Sequence, residues 1–340
     1  VPQIALPVGI SFYTFQLLSY VIDVYRGEIQ AQKKFWYLLL YASLFHQCIA
    51  GPIVRYQMVA DEIEHRRIRL DEFGQGIKRF SIGLAKKAVL ANGCASVAYA
   101  LQIYLDFAAY SDMAIGMGLM VGFHYNENFD YPYIANSVKD FWRRWHISLS
   151  TFFRDYVYIP LGGNRKGPRR TTINLLVVWG LTGMWHGASW NYILWGLYFF
   201  IFIFLENNFL SEKLKRLPGF VGHFYALAAV YFGWILFRCE DLGNLGAILK
   251  GMFGLNGNGF LDMSTSITIQ NNIYLLIFCI IASTPLLKWV HSYMQRLQEL
   301  RRRIPYVVYA YDLAVSPILL ILSLMALVGN SYNPFLYFQF

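Results

Sequence analysis

The sequence predicts an all-α polytopic membrane protein. Of its 340 residues 56% are hydrophobic, 18% aromatic and only 14% charged, too apolar a balance for a soluble globular domain. A helix needs about 20 mostly apolar residues to cross a hydrocarbon core, and roughly eight stretches of the chain offer them. Strict alternation with period two over segments of about ten residues is missing, which argues against an outer-membrane barrel.

In chain order the apolar stretches are Pro7 to Val24, Phe35 to Ala50, Ala95 to Gly122, Ile173 to Gly187, Tyr192 to Leu205, Phe224 to Phe237, Ile273 to Val290 and Leu313 to Val328. Between the second and third lies a polar segment. Its second half, Asp71 to Val89, sets Phe73, Ile77, Phe80, Leu84 and Ala88 at helical spacing opposite Lys78, Arg79, Lys86 and Lys87. That pattern predicts an amphipathic helix on the membrane surface, with Asp71 and Glu72 in its first turn. A second is expected at Lys288 to Ile304, where Trp289, Tyr293, Leu297 and Ile304 oppose Arg296 and Arg301 to Arg303.

The loop from Lys139 to Arg170 carries eight Lys or Arg against two Asp, so the positive-inside rule places it in the cytoplasm. Ile173 to Leu205 then runs for 33 residues without Asp, Glu, Lys or Arg. As one straight helix it would measure about 50 Å against a core of about 30 Å, so it must break. The natural break is His186-Gly-Ala-Ser189, and crossing twice keeps the later basic loops on the cytoplasmic side. Upstream the same bookkeeping misfits. Arg55 to Asn92 also looks cytoplasmic, yet one span separates it from Lys139, so either that span is a hairpin or a helix is missing near 92–97.

The formal charge of +9 and the pI near 9.2 are read as topology and attraction to anionic lipid headgroups, with no nucleic-acid partner. Cys48, Cys94, Cys239 and Cys279 form no CxxC pair and read as packing residues. Val1 opens the chain without initiator Met, basic n-region or cleavage site, so the chain reads as one lacking its start.

Two Trp-His pairs, Trp145-His146 and Trp185-His186, stand 40 residues apart. An ionisable residue at membrane depth is costly unless it works, and neutral imidazole can accept a proton on one nitrogen while donating from the other. His186 is therefore the candidate general base; the plain alternative is an interhelical hydrogen bond. His146 follows Arg143-Arg144, and its plain alternative is an interfacial loop histidine. Arg143, Arg144, Arg154, Arg165, Lys166, Arg169 and Arg170 could grip the phosphates of a nucleotide-bearing donor, or simply report topology. Asp106 and Asp112 lie six positions apart inside an apolar span, where carboxylates need partners or water. Pairing with arginine is expected for Asp112, and Asp106 stays open. Gly116-Met-Gly118 reads as helix packing, and no metal-site spacing occurs.

Several ordered pieces carry a resemblance: Gln102 to Phe107, Tyr110 to Gly116, Glu127 to Tyr133, Asp140 to Ser150, Phe153 to Arg165, Gly183 to Trp190, and Ser331 to Phe338. Together they resemble the membrane-bound O-acyltransferase family, in its bacterial alginate O-acetyltransferase-like branch. The resemblance implies a multi-helix bundle with a central tunnel, forming a single membrane-embedded domain over residues 1–340. It implies that His186 is catalytic and His146 a second active-site residue, and it makes Trp185, Trp145, Arg143, Arg144, Arg154, Tyr110 and Asp112 candidate substrate-binding residues. It further implies acetyl-CoA as donor substrate, with no permanently bound cofactor. The acceptor would be an exported polysaccharide or a protein, with an SGNH-hydrolase-like extracytoplasmic partner, at the bacterial inner membrane. Members usually carry further N-terminal helices before Pro7 to Phe12 and a longer stretch before Gln102, which coincides with the misfit near 92–97. Two other readings stay open: D-alanyl transfer from a carrier protein, and a proton-coupled transporter or flippase using Asp106, Asp112 and His186.

Overall fold

The long uncharged run folds as a helical hairpin. In the computed structural model one helix, Gly167–His186, ends on the second Trp-His pair, and the next, Trp190–Leu205, starts after Gly187, Ala188 and Ser189. The break falls where a 33-residue run would overshoot the bilayer. Small residues let the two arms meet: a Cβ on Gly183 would stand 2.5 Å from the Tyr192 carbonyl oxygen. A third helix, Gly219–Arg238, packs on the second arm. It is tied there by Asn191 Nδ2 donating to the Phe237 carbonyl (2.8 Å) and Tyr198 Oη donating to the Ala229 carbonyl (2.8 Å).

The structure describes residues 9–47, 51–95, 98–255, 257, 263–300 and 305–329. Among these the secondary structure is helical, without strands. Cys48, the 96–97 half of the misfit junction, Arg301 to Ile304 and the motif tail Ser331 to Phe338 lie outside the described residues, as does Pro7.

Among the described residues two continuous helices are long and apolar enough to cross a membrane, Trp190–Arg216 and Gly219–Arg238. A bent pair, Met263–Asn271 with Ile273–Ala282, meets at 61° and makes a third if it is one broken span. This is fewer than the eight apolar stretches. Phe35 to Ala50 yields a helix of only 9 residues, Phe35–Ser43, about 14 Å long at 1.5 Å per residue. The first helix, Ile10–Tyr25, has 16 residues and buries Gln16, Ser19 and Asp23. Apolar composition marks neither what is buried nor where the chain turns: in Phe35–Ser43 only Tyr41 is buried.

The expected helix at Asp71 to Val89 forms as Leu70–Ala85, continued by a wider turn through Lys86–Ala91, and it packs along a neighbouring helix. Its buried face is a small-residue stripe, Gly76, Ser81, Gly83 and Ala85, while Phe73 is 39% exposed. That stripe lies on the helix Tyr99–Met120. A Cβ on Gly76 would come within 2.6 Å of the Gly116 carbonyl oxygen, and one on Gly83 within 2.7 Å of the Ala109 carbonyl oxygen. Gly116 is thus the packing residue its setting suggested. The bases meant for solvent turn onto the neighbour's acids. Lys87 Nζ meets Asp106 at 2.5 Å, Lys86 Nζ meets Asp112 at 2.6 Å, and Arg79 reaches Asp112 at 2.8 Å. Carboxylates in an apolar span need counter-charges, and that demand outweighs the amphipathic preference.

Candidate active site

The first Trp-His pair is held by a short helix, Val138–Arg144, anchored at its start from two directions. Ser137 Oγ accepts from Asp140 N at 3.0 Å, the usual N-cap bond. The buried Glu206 carboxylate accepts from the backbone N–H of Val138 (2.6 Å) and of Lys139 (3.0 Å). A carboxylate on a helix N-terminus satisfies orphan donors and opposes the positive end of the dipole. After Arg144 the chain turns through His146 at φ 46° and ψ 55°, left-handed geometry uncommon for a side-chain-bearing residue, and re-enters helix at Ile147–Phe153.

Aromatic rings wall the site. Trp145 stacks on Phe141 (centroids 5.5 Å) and packs on Trp234 (4.8 Å). The His146 ring meets the Phe107 ring edge to face at 4.8 Å and stands 6.1 Å from that of Trp185. His186, the last residue of its helix, is ringed by Trp185 (4.7 Å), Trp195 (5.0 Å) and Phe237 (5.1 Å). His146 Nδ1 bonds to Asn128 Oδ1 at 3.2 Å, while Nε2 is buried without a hydrogen-bond partner among the described residues.

Both histidines line one cavity of about 500 Å³, together with Arg143, Arg154, Trp145, Trp142, Trp179, Thr182 and Trp195. Of the residues singled out from sequence, His146, His186, Trp145, Arg143 and Arg154 thus converge, and Trp185 stands between the two imidazoles. Arg143 is exposed and has no carboxylate partner among the described residues. Arg154 is bound to Asp155 (2.6 Å), which also holds Arg55 (2.5 Å). Burial pushes the Asp155 carboxyl up, but hydrogen bonds from Arg154 and Arg55 outweigh it and hold the group below the ordinary carboxylate range.

Three candidates do not line that cavity. Arg144 turns away to Asp140 (3.1 Å) and Asp130 (3.2 Å). Tyr110 packs behind its wall, against the cluster of Phe12, Phe152, Phe153 and Tyr156 that Trp185 also joins. Asp112 lines a separate cavity of about 720 Å³ and is held by Arg79 and Lys86, the ion pairing its position called for. Sequence reasoning missed Asn128, Ser148 and Glu206, and the tryptophans Trp142, Trp179 and Trp195. The one available signal was Glu206, the first acid after the uncharged run.

The family model described as MBOAT, membrane-bound O-acyltransferase family, matches residues 93–242. The chain is 35% identical over 383 aligned positions to the probable alginate O-acetylase AlgI of Azotobacter vinelandii, covering 100% of this chain and 77% of that protein. It is 33% identical over 313 positions to the peptidoglycan O-acetyltransferase of Helicobacter pylori, covering 77% and 59%. It is 29% identical over 247 positions to the teichoic acid D-alanyltransferase of Bacillus subtilis, covering 62% of each.

Proposed function

The chain belongs to the membrane-bound O-acyltransferase family, and we propose that it carries an acetyl group from acetyl-CoA to a hydroxyl of an exported cell-surface polysaccharide. It is an O-acyltransferase, which sets the transporter reading aside. The observation that supports the site is convergence: two histidines from segments 40 residues apart in sequence reach one aromatic-walled cavity with a cation, Arg143, on its wall.

In this reading His186 takes the proton of the acceptor hydroxyl as its oxygen attacks the thioester carbonyl. The carbon–oxygen bond forms, the carbon–sulfur bond breaks, and CoA leaves as a thiolate that recovers a proton. General-base assistance of this kind is worth about 10² to 10⁴ in rate. His186 suits the task because it ends its helix at the break, with no protein hydrogen-bond partner for its ring among the described residues. Arg143 would hold donor phosphates arriving from the cytoplasmic side. His146 would orient the acceptor or steady the developing charge. An extracytoplasmic partner of the SGNH-hydrolase type could receive the acyl group for final transfer. The likeness to a D-alanyltransferase supports one second reading, with a carrier-borne D-alanyl group as cargo at the same cavity.

The test is thiol release from acetyl-CoA by the purified protein in lipid, with and without polysaccharide, for wild type, His186→Gln and His146→Gln. Release that collapses in His186→Gln at matched folding supports acetyl transfer. A folded wild type that releases no thiol, or a His186→Gln variant as fast as wild type, would rule out this mechanism.

A further inference from the structure

The His146 turn brings together more polar atoms than its backbone requires. Asn128 Oδ1 receives the backbone N–H of Ser148 (3.2 Å), Ser148 Oγ (2.9 Å) and His146 Nδ1 (3.2 Å). On its other side Asn128 Nδ2 donates to Ser111 Oγ at 3.1 Å. Asn128 itself is fully buried. Separately, its backbone carbonyl accepts from Ile147 N at 3.0 Å, which holds the turn whatever the side chain does.

These contacts settle which way the amide points. The Ser148 backbone N–H can only donate, so the atom facing it must be the carbonyl oxygen; a flipped amide would set an NH₂ against an N–H. The atom beside His146 Nδ1 is then that same acceptor oxygen. A bare Nδ1 would place two lone pairs 3.2 Å apart in a buried setting, and the Ser148 hydroxyl 3.5 Å from Nδ1 does not relieve this, because its single hydrogen goes to Asn128 Oδ1 at 2.9 Å. Nδ1 must carry the hydrogen, and in neutral imidazole this leaves Nε2 without one.

We propose that Asn128, oriented by Ser148 and Ser111, is a positioning residue that fixes His146 in the Nδ1–H tautomer, making its Nε2 a hydrogen-bond acceptor for substrate. Nε2 is the buried atom with no partner among the described residues, and its ring lines the cavity shared with His186. A nitrogen without a hydrogen accepts from an O–H or N–H of the substrate. It does not donate to an oxyanion, so of the two roles left open for His146 this selects orientation of the acceptor. What Nε2 binds rests on the acyl-transfer reading; the tautomer does not.

The experiment uses the whole chain in lipid with ¹⁵N-labelled histidine, His146→Gln identifying the His146 signals among the seven histidines. The expected result is a protonated Nδ1 and a bare Nε2 in wild type, with mixed tautomers in Asn128→Leu. In parallel, Asn128→Asp sets a carboxylate against Nδ1–H and favours the imidazolium. It should move the low-pH limb of kcat/KM upward by about one pH unit or more. A purely structural Asn128 would not move that limb. A protonated Nε2 in wild type, an unchanged tautomer in folded Asn128→Leu, or an unmoved limb in Asn128→Asp would overturn the proposal. Should Asn128→Leu fail to fold, Ser148→Ala with Ser111→Ala loosens the amide and should produce the same mixing. A bare Nε2 in a wild type that releases no thiol would count for the tautomer and against the acetyl-CoA donor.

Discussion

Lys87 and Asp106 form a buried ion pair across two helices, Nζ to Oδ1 2.5 Å, with side chains 7% and 3% exposed. Removing one partner strands a charge. Lys87→Met is expected to destabilise the protein by about 3–5 kcal/mol, whereas Lys87→Met with Asp106→Leu should recover most of that loss. Thermal unfolding in detergent measures both; a double variant no better than the single would contradict the pairing as the main role.

The small-residue contact between the helices Leu70–Ala85 and Tyr99–Met120 makes a sharper contrast. A Cβ on Gly76 would lie 2.6 Å from the Gly116 carbonyl oxygen, while one on Gly74 meets nothing within 4 Å. Gly76→Ala should cost about 1–3 kcal/mol by pushing the backbones apart. Gly74→Ala should be neutral or stabilising by up to about 1 kcal/mol. Equal melting temperatures for the two variants would refute the backbone-to-backbone packing.

Glu206 acts on the site from a distance by gripping the start of the helix that delivers Arg143 and His146. Glu206→Gln presents one oxygen and one amide to two N–H groups, so the helix should lose its seat. The expected reading is a fall in kcat of about 10- to 100-fold with the fold retained, since small misplacements of reacting groups carry penalties of this order. Steady-state kinetics beside circular dichroism would check it.

Arg143 and Arg144 are neighbours with opposite assignments. On the proposed acetyl-CoA reading, Arg143→Gln should raise KM for the donor about tenfold with little change in kcat, because the proposed phosphate contact is lost while no carboxylate pair among the described residues is broken. Arg144→Gln breaks the bonds to Asp130 and Asp140 and should lower stability instead. The converse pattern would reassign the donor contact.

Acid should loosen the Arg55–Asp155–Arg154 clamp with a definite sign. The folded carboxyl is held below its ordinary range, so its stabilisation is complete above about pH 4, where the unfolded group is also ionised, and is lost as pH falls through the folded value. The stability gap between wild type and Asp155→Asn should therefore be constant near neutrality and shrink below about pH 4. A gap that widened on acidification would mean the carboxyl is not the stabilised form.

The break at His186 was legible because a length could be set against a thickness, and Gly116 because small residues in an apolar helix have few other uses. The two histidines stood out through their unusual settings, and the structure brings both to one cavity. Asn128 and Glu206 were not, since each acts through hydrogen bonds to residues distant in sequence, and a single polar residue has no spacing to read. The direction faced by Leu70–Ala85 was hidden for a related reason: its periodicity shows two faces, but Asp106 and Asp112 on another helix decide which is buried. Among the described residues fewer helices are long enough to cross than there are apolar stretches, because a run such as Phe35 to Ala50 gives a helix of only 9 residues, Phe35–Ser43.

The left-handed turn at His146 has a consequence for evolution as well as chemistry. At φ 46° a Cβ crowds the following carbonyl, at about 1–2 kcal/mol, and glycine would occupy the position without that penalty. A chain selected for durability alone would drift to glycine here and lose the imidazole. Retaining histidine keeps the fold slightly below the stability its backbone would allow, and on the proposed role of His146 that is a local compromise in favour of turnover. His146→Gly should therefore fold at least as firmly as His146→Ala and, on that proposal, be just as inactive.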